Sequence, residues 1–322
     1  MVGGKRDLNL IQVRPLLKWV GGKRQLLPHL RPFYPRAFGR YIEPFFGSGA
    51  VFFDLHSAGL LRGHDVILID SNADLIGCYE AVRDQPDEVA KVLDRLATAH
   101  ARDGRAHYYD VRDRRFNPLR EERRLADGRI AYTPELAAML IYLNRTGFNG
   151  LFRVNASGAF NVPAGRYDRP KILDREKLLR VAGALGDPRV RLEYGSFERA
   201  IEDAAAGDFL YVDPPYAPLS QTANFTSYTM RRFDRHDQQR LQQAIVSLAR
   251  RGCHVLLSNS TAEEIAALYE TNAEAFEAGL RALRVPARRA INSNGARRGP
   301  VEEYVITNIS RAASYAPSTQ TS

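Results

Sequence analysis

The chain has 322 residues, with 44% hydrophobic and 26% charged side chains, a balance that is ordinary for a soluble globular protein. Lysine and arginine number 46 against 37 aspartate and glutamate, and the resulting charge of +9 favours a polyanionic partner such as nucleic acid. No apolar stretch is long enough for a membrane span, and the N-terminus has no secretory signal core. The two cysteines, Cys78 and Cys253, have neither disulfide nor metal spacing, so we expect a cytoplasmic protein without a metal site.

Short apolar strands alternate with helical patterns along the chain, which predicts an α/β sheet. The predicted strands, in chain order, are residues 41–42, 66–69, 209–212, 254–257 and 301–307. A helix is predicted between the third and fourth strands. Its apolar residues repeat at helical spacing between Asp234, which offers an N-cap, and Gly252, which ends it.

The middle of the chain breaks this alternation. Residues 73–173 begin with helices rich in Arg and Tyr and end in a segment dense in Asn, Gly and Arg, which is typical of hairpins and turns. We interpret them as an inserted recognition domain, because recognition residues usually lie on loops carried by a rigid scaffold. The insertion would divide a catalytic domain into residues 1–72 and 174–310, and we expect residues 311–322 to form a disordered tail.

The turn at residues 43–49, Glu-Pro-Phe-Phe-Gly-Ser-Gly, follows a strand and opens a helix. Its glycines let the backbone approach a ligand, and Asp70 at the end of the next strand could accept hydrogen bonds from ribose hydroxyls. The turn lacks the dinucleotide-binding pattern and a Walker lysine, so a nucleoside ligand without pyrophosphate, such as S-adenosylmethionine, fits better. Upstream, Trp19 and Lys23 either anchor an N-terminal turn in the core or contact that cofactor, with Lys23 near its carboxylate.

The tetrapeptide Asp213-Pro214-Pro215-Tyr216 follows the apolar strand 209–212. Two prolines remove two backbone donors, so the strand ends there. A simple strand stop is one interpretation. The other is a site for an exocyclic amine, in which Asp213 and the Pro214 carbonyl accept the two N–H bonds and Tyr216 stacks on an extruded base.

These motifs, taken in order, resemble the Dam family of DNA adenine-N6 methyltransferases. The resemblance runs from about residue 15 to residue 308 and includes Lys-Trp with Gly-Gly-Lys at 18–23, the 43–49 turn, Asp-Ser-Asn at 70–72, the segment 144–155 and Asp-Pro-Pro-Tyr at 213–216. Further matches are Phe-Asn-Val-Pro at 160–163, Gly-Arg-Tyr at 165–167, the residues after 216 and Asn-Ser-Asn-Gly at 292–295. The chain departs from close bacterial relatives at Thr146, Phe148 and Asp168, and its segment 117–134 is longer than theirs.

The resemblance implies a Rossmann-like S-adenosylmethionine-dependent methyltransferase sheet with an inserted, mostly helical target-recognition domain plus a β-hairpin. It implies methyl transfer from S-adenosylmethionine to N6 of adenine in double-stranded DNA, with GATC as the expected site, by base flipping and direct in-line transfer and without a metal. The alternatives are cytosine N4 methylation and a catalytically idle DNA-binding regulator. The sequence leaves open whether a cognate restriction endonuclease accompanies the enzyme, which would be bacterial or phage-encoded.

The candidate site residues form three groups. The catalytic group is Asp213, Pro214, Pro215 and Tyr216. The cofactor-binding group is Trp19, Lys23, Glu43, Phe45, Gly47, Gly49, Asp70 and Asp213. The DNA-binding group is Lys18, Arg145, Phe148, Asn149, Leu151, Arg153, Asn155, Asn161 and Pro163, of which Arg145, Asn155 and Asn161 would hold phosphates.

Overall fold

A seven-stranded sheet forms the centre of the protein. The computed structural model describes residues 12–19, 21–216, 233–287 and 301–311. The strands are β1 Tyr41–Glu43, β2 Val66–Asp70, β3 Val190–Tyr194, β4 Phe209–Val212, β5 His254–Ser260, β6 Arg281–Ala287 and β7 Val301–Thr307. Their order is β3-β2-β1-β4-β5-β7-β6, in which β1 to β5 pair in parallel and β7 runs antiparallel to both neighbours. The predicted α/β sheet is confirmed.

Helices cover the sheet and build the inserted region. They are α1 Leu27–Leu30, α2 Ala50–Ser57, α3 Ala73–Asp84, α4 Pro86–Tyr109, α5 Asn117–Glu122, α6 Pro134–Thr146, α7 Arg175–Leu185, α8 Phe197–Glu202, α9 Arg235–Arg250, α10 Glu263–Ile265 and α11 Ala273–Glu277. Single-turn 3₁₀ segments occupy Lys23–Gln25, Arg31–Phe33 and Phe148–Gly150, and π-helical segments occupy Asp110–Phe116 and Ala266–Glu270. Helix α9 confirms its predicted N-cap, because Asp234 and Asp237 form a reciprocal capping box.

The five strands predicted from the sequence are all present, and β5 continues three residues beyond its predicted end at Leu257. Strands β3 and β6 were not predicted. Both lie at the ends of the sheet; β3 alternates polar with apolar residues, and β6 contains two arginines and Pro286, which disfavours a strand assignment. Apolar signals are weakest where a strand has one neighbour, which explains the omission.

Both faces of the sheet are buried at its central strands. Along β4, Phe209 and Tyr211 belong to the apolar cluster on one face, and Leu210 and Val212 belong to the cluster on the other. Successive side chains of a strand point to opposite faces, so a four-residue strand contributes to two cores. The end of β4 is therefore firmly anchored where the tetrapeptide 213–216, predicted to be catalytic, begins.

The inserted region contains α4 to α6 and a hairpin whose bridges join Gly147 to Ala164 and Val154 to Phe160. Helix α3, at the start of the predicted insertion, packs on β2 and β3 as well as on α6 and α7. The boundary at residue 73 stays a prediction. The predicted motif residues 217–220 and 292–295 and most of the predicted tail lie outside the described residues.

Cys78 and Cys253 are buried and unbridged. Among the helices that the structure describes, none has the length and apolar content needed to cross a membrane.

Candidate active site

Two loops meet where the winding of the sheet reverses. Strands β1 and β4 are neighbours, but β1 leads to β2 on one side and β4 leads to β5 on the other. In open α/β sheets, ligands bind at the carboxyl ends of the strands at such a switch point. The 43–49 turn follows β1 and the tetrapeptide 213–216 follows β4, so the two motifs share this edge.

Asp213 is oriented from two sides. Lys23 Nζ lies 2.8 Å from its Oδ1, and Ser258 Oγ donates to the same oxygen at 2.9 Å. The hydroxyls of Tyr211 and Ser258 are 3.0 Å apart, and Tyr211 is the donor because the Ser258 proton is engaged with Asp213. Burial raises the pKa of Asp213, and the Lys23 charge offsets part of that rise. The carboxylate is thus fixed in direction by the protein itself.

Two contacts hold the side chain of Tyr216, one at its ring and one at its hydroxyl. Lys23 Nζ lies 4.3 Å from the ring centroid, within the range of a cation–π contact. The hydroxyl donates to Glu303 Oε2 at 2.7 Å from strand β7. Burial raises the pKa of Tyr216 well above its ordinary value, so the phenol stays protonated and remains the donor of that bond.

The turn after β1 needs its glycines. Gly47 and Gly49 have φ of 52° and 75°, the left-handed region, and a Cβ at Gly49 would lie 2.5 Å from the Phe46 ring. The Gly47 N–H donates to Asp70 Oδ2 at 2.8 Å, and the Asn72 N–H donates to Oδ1 at 2.8 Å. Asp70 therefore ties the end of β2 to the turn after β1. Burial raises the pKa of Asp70 to about 6.

Two other predicted cofactor residues have partners of their own. Glu43 is buried, accepts a hydrogen bond from Tyr41 at 2.8 Å, and has a pKa raised well above its ordinary value by burial. Phe45 stacks on Phe197 with ring centroids 5.3 Å apart and meets Phe233 edge-on at 5.6 Å. Their predicted roles toward the cofactor stay predictions.

The donors and acceptors of this edge fit S-adenosylmethionine. A carboxylate has about four acceptor positions. The two backbone N–H groups occupy one on each Asp70 oxygen, so each can still accept from a ribose hydroxyl. The ammonium of Lys23 suits the ligand's carboxylate, and Phe45 offers an apolar ring beside the turn.

Asp70→Ala is expected to weaken S-adenosylmethionine binding by about 1.5–3 kcal/mol, the usual contribution of a hydrogen bond to a charged group, with little effect on DNA affinity. In the wild type, the side chain of Asp70 is ionised when the pH is well above its pKa of about 6. It becomes protonated, and the charge is lost, as the pH falls through that value. Cofactor affinity should therefore be flat at neutral pH and should fall below pH about 6, approaching tenfold per unit. Calorimetry across pH on the wild type and Asp70→Asn checks this, and an identical pH profile in both proteins would assign Asp70 a structural role.

Asn144 joins the N-terminal segment to the hairpin. Its Oδ1 accepts the Lys18 N–H, and its Nδ2 donates to the carbonyls of Lys18 and Gly150, all at 2.8 Å. Nearby, Trp19 stacks on Phe152 with ring centroids 5.5 Å apart and an interplanar angle of 26°. The segment predicted to reach the cofactor is therefore fixed to the hairpin predicted to reach DNA.

Some of the predicted DNA-binding residues are exposed, and others form hydrogen bonds within the protein. Phe148 is 48% exposed, and Asn149 beside it has φ of 53°. Arg153, by contrast, lies across the hairpin: its Nε donates to Asn161 Oδ1 at 2.8 Å and its Nη2 to the Asn161 carbonyl at 3.2 Å. The two halves of the hairpin are thus joined by a pair of residues predicted to contact DNA.

The remaining predicted DNA-binding residues also differ from one another in exposure and contacts. The Lys18 side chain is exposed and lies 4.8 Å from the Tyr167 ring, whereas Arg145 is half-buried and donates to the Leu16 carbonyl at 2.6 Å. Its predicted phosphate contact stays a prediction. Asn155 and Pro163 are exposed, and Leu151 is half-buried.

Four residues around the tetrapeptide were not named as site residues from the sequence. They are Ser258, Asn259, Gln238 and Glu303. Each is a polar side chain on a buried or half-buried position of β5, α9 or β7. The signal available in the sequence was the polar pair Ser-Asn directly after an apolar strand run.

The seven-stranded mixed α/β sheet is consistent with the fold of an S-adenosylmethionine-dependent methyltransferase. A family model described as D12 class N6 adenine-specific DNA methyltransferase matches residues 19–285. The chain belongs to this family and is an adenine-specific DNA methyltransferase that uses S-adenosylmethionine as methyl donor.

Similar proteins cover nearly the whole chain. The Type II methyltransferase M1.LlaDCHI of Lactococcus lactis subsp. cremoris is 38% identical over 302 residues, covering 93% of this chain and 97% of that protein. The Type II methyltransferase M.MjaIII of Methanocaldococcus jannaschii is 36% identical over 312 residues, with 92% and 100% covered. The DNA adenine methylase of Vibrio cholerae is 35% identical over 294 residues, with 91% and 95% covered.

Proposed function

We propose that this enzyme methylates N6 of adenine within GATC in double-stranded DNA after extruding the target base. The observation that carries the proposal is the position of Asp213 and Tyr216 directly after β4, beside the 43–49 turn and Asp70. The hairpin of the inserted region supports the DNA-reading half, because Asn144 bonds both it and the segment containing Lys18.

The reacting amine meets acceptors that are already in place. Adenine N6 is a poor nucleophile because its lone pair is delocalised into the ring. Lys23 and Ser258 both bond Oδ1 of Asp213, so we assign Oδ2 and the Pro214 carbonyl to the two N6–H bonds. Accepting both bonds localises charge on nitrogen as the methyl group, which S-adenosylmethionine supplies, is attacked. With a pKa raised by burial, Asp213 can then hold the proton that N6 releases.

Tyr216 provides the surface for the extruded base. Its ring is held by Lys23 and Glu303, so the base would meet a fixed aromatic plane, and stacking on such a ring compensates part of the cost of leaving the duplex. Methylation rates on duplexes containing GATC, each single-base variant, and GATC with N6-methyladenine already in place test the site. Equal rates on all three kinds of duplex would overturn the GATC assignment.

Arg153 is expected to read a guanine of the site. Its guanidinium, which bonds Asn161 across the hairpin, is a planar group that can bond O6 and N7 of guanine in bidentate fashion. Arg153→Ala should cost about 1–3 kcal/mol at one base pair of GATC and affect near-cognate sites far less. A phosphate contact would instead lower rates at all sites in parallel and flatten the salt dependence.

The measurement is the methylation rate on GATC and every single-base variant, in the wild type and in Arg153→Ala. Arg129→Ala is a matched control, because Arg129 is an exposed arginine of the inserted region that pairs with Asp127. A uniform decrease in Arg153→Ala would refute base reading.

The Type II relatives favour a setting with a cognate restriction endonuclease, which inspection of the flanking genes would test.

A further inference from the structure

Three hydrogen bonds connect strand β5 to the catalytic tetrapeptide through two side-chain amides. The Ser260 N–H donates to Asn259 Oδ1 at 2.8 Å, Asn259 Nδ2 donates to Gln238 Oε1 at 3.1 Å, and Gln238 Nε2 donates to the Pro215 carbonyl at 3.0 Å. Gln238 is 1% exposed and Asn259 is fully buried. A backbone donor begins the chain and a backbone acceptor ends it, so the orientation of both amides is determined.

The tetrapeptide has few soft torsions of its own. Proline rings fix φ at residues 214 and 215, and a residue that precedes proline is restricted to extended ψ values, which applies to Asp213 and Pro214. The ψ of Pro215 is different, because a tyrosine follows it. Rotation about that bond turns the planar peptide between Pro215 and Tyr216, and with it the direction in which the Tyr216 ring leaves the backbone.

We propose that Gln238, held by Asn259, is a positioning residue that fixes this torsion and thereby sets the angle between the Tyr216 ring and the Asp213 carboxylate. The proposal rests on the proposed function of these two residues. The far end of the ring is held independently by Glu303 at 2.7 Å, so the pair of anchors leaves the ring one orientation. Neither Gln238 nor Asn259 needs to touch the base or the cofactor for this role.

The chain offers a matched control for the test. Gln242 lies one turn further along α9, is buried, and its Nε2 has no hydrogen-bond partner among the described residues. Gln238→Met and Gln242→Met remove the same amide from the same helix and keep the length of the side chain. Only the first substitution breaks the connection to the tetrapeptide.

Single-turnover methylation of a GATC duplex should slow about 10- to 100-fold in Gln238→Met, the usual effect of misaligned reacting groups, while KM for DNA and for S-adenosylmethionine stays within about twofold. Gln242→Met should keep the wild-type rate. Adding Asn259→Leu to Gln238→Met should reduce the rate no further, because both residues act through one bond. A wild-type rate in Gln238→Met, or equal losses in both glutamine variants, would overturn the proposal.

Thermal unfolding of each variant separates misalignment from misfolding. If Gln238→Met does not fold, Gln238→Leu replaces it, because leucine fills the buried space but has no group that can donate to the Pro215 carbonyl. The same decrease in rate is then expected, with KM again close to that of the wild type. Asp213→Ala separates failure of the proposed function from failure of the positioning role. If Asp213→Ala is active, the proposed function is refuted. If Asp213→Ala is inactive and the Gln238 variant is fully active, only the positioning role is refuted.

Discussion

Asp213→Ala is expected to transfer methyl groups at least about 10²–10³-fold more slowly than the wild type, the usual cost of removing one preorganised group that stabilises developing charge. In the proposed mechanism Asp213 accepts a hydrogen bond from the amine, and the direction of its carboxylate is set by Lys23 at 2.8 Å and by Ser258 at 2.9 Å. Without the carboxylate, the amine loses its charged acceptor while the extruded base can still reach Tyr216.

The loss has a second component. Asp213 is also one of the residues predicted to contact the cofactor, so its loss should lower affinity for S-adenosylmethionine as well. Single-turnover rates at saturating cofactor isolate the chemical step from that effect. Asp213→Asn keeps the size but not the charge, and it should be nearly as slow. A chemical rate within a few fold of wild type in either variant would contradict the mechanism.

Arg120→Ala is expected to destabilise the protein by about 3–5 kcal/mol, because it leaves a buried carboxylate without its cation. The guanidinium pairs with Asp74 through two hydrogen bonds of 2.6 and 2.7 Å, and its third contact is the Gly158 carbonyl of the hairpin at 2.7 Å. Both charged side chains are less than about a tenth exposed, at 7% and 4%. The pair therefore joins α3, which begins just after Asp70, to the hairpin that is predicted to recognise DNA.

Denaturant unfolding measures this effect, with Arg124→Ala as the control. Arg124 pairs with Glu121 at the surface, and an exposed ion pair contributes about 0–1 kcal/mol. The double variant Asp74→Leu with Arg120→Met should recover much of the loss, because it removes both charges together. Equal midpoints for Arg120→Ala and Arg124→Ala would show that the buried pair contributes little.

The parts of the fold that the sequence predicted are those with a local cause. Proline ends β4 at Asp213, glycines allow the positive φ values of the turn after β1, and Asp234 caps α9. Each of these signals acts within a few residues of the chain. That the 43–49 turn and the 213–216 tetrapeptide lie at the ends of neighbouring parallel strands is a finding of the structure.

The parts that were not predicted depend on contacts between distant segments. Ser258 bonds Asp213 across 45 residues, Tyr216 bonds Glu303 across 87, and Gln238 reaches Pro215 across 23. A single polar residue in a buried strand or on a helix has no local pattern that reveals its partner. The bonds from Arg153 to Asn161 likewise depend on the pairing of the two hairpin arms, which only the folded chain defines.

The most direct test of the proposed chemistry is base analysis of DNA that the enzyme has modified. Unmethylated plasmid DNA is incubated with the enzyme and S-adenosylmethionine, digested to nucleosides and analysed by mass spectrometry, and the modified positions are mapped. We expect N6-methyldeoxyadenosine, confined to GATC and absent when Asp213→Ala replaces the wild type. N4-methyldeoxycytidine, or DNA that is bound but carries no modified base, would contradict the proposed function.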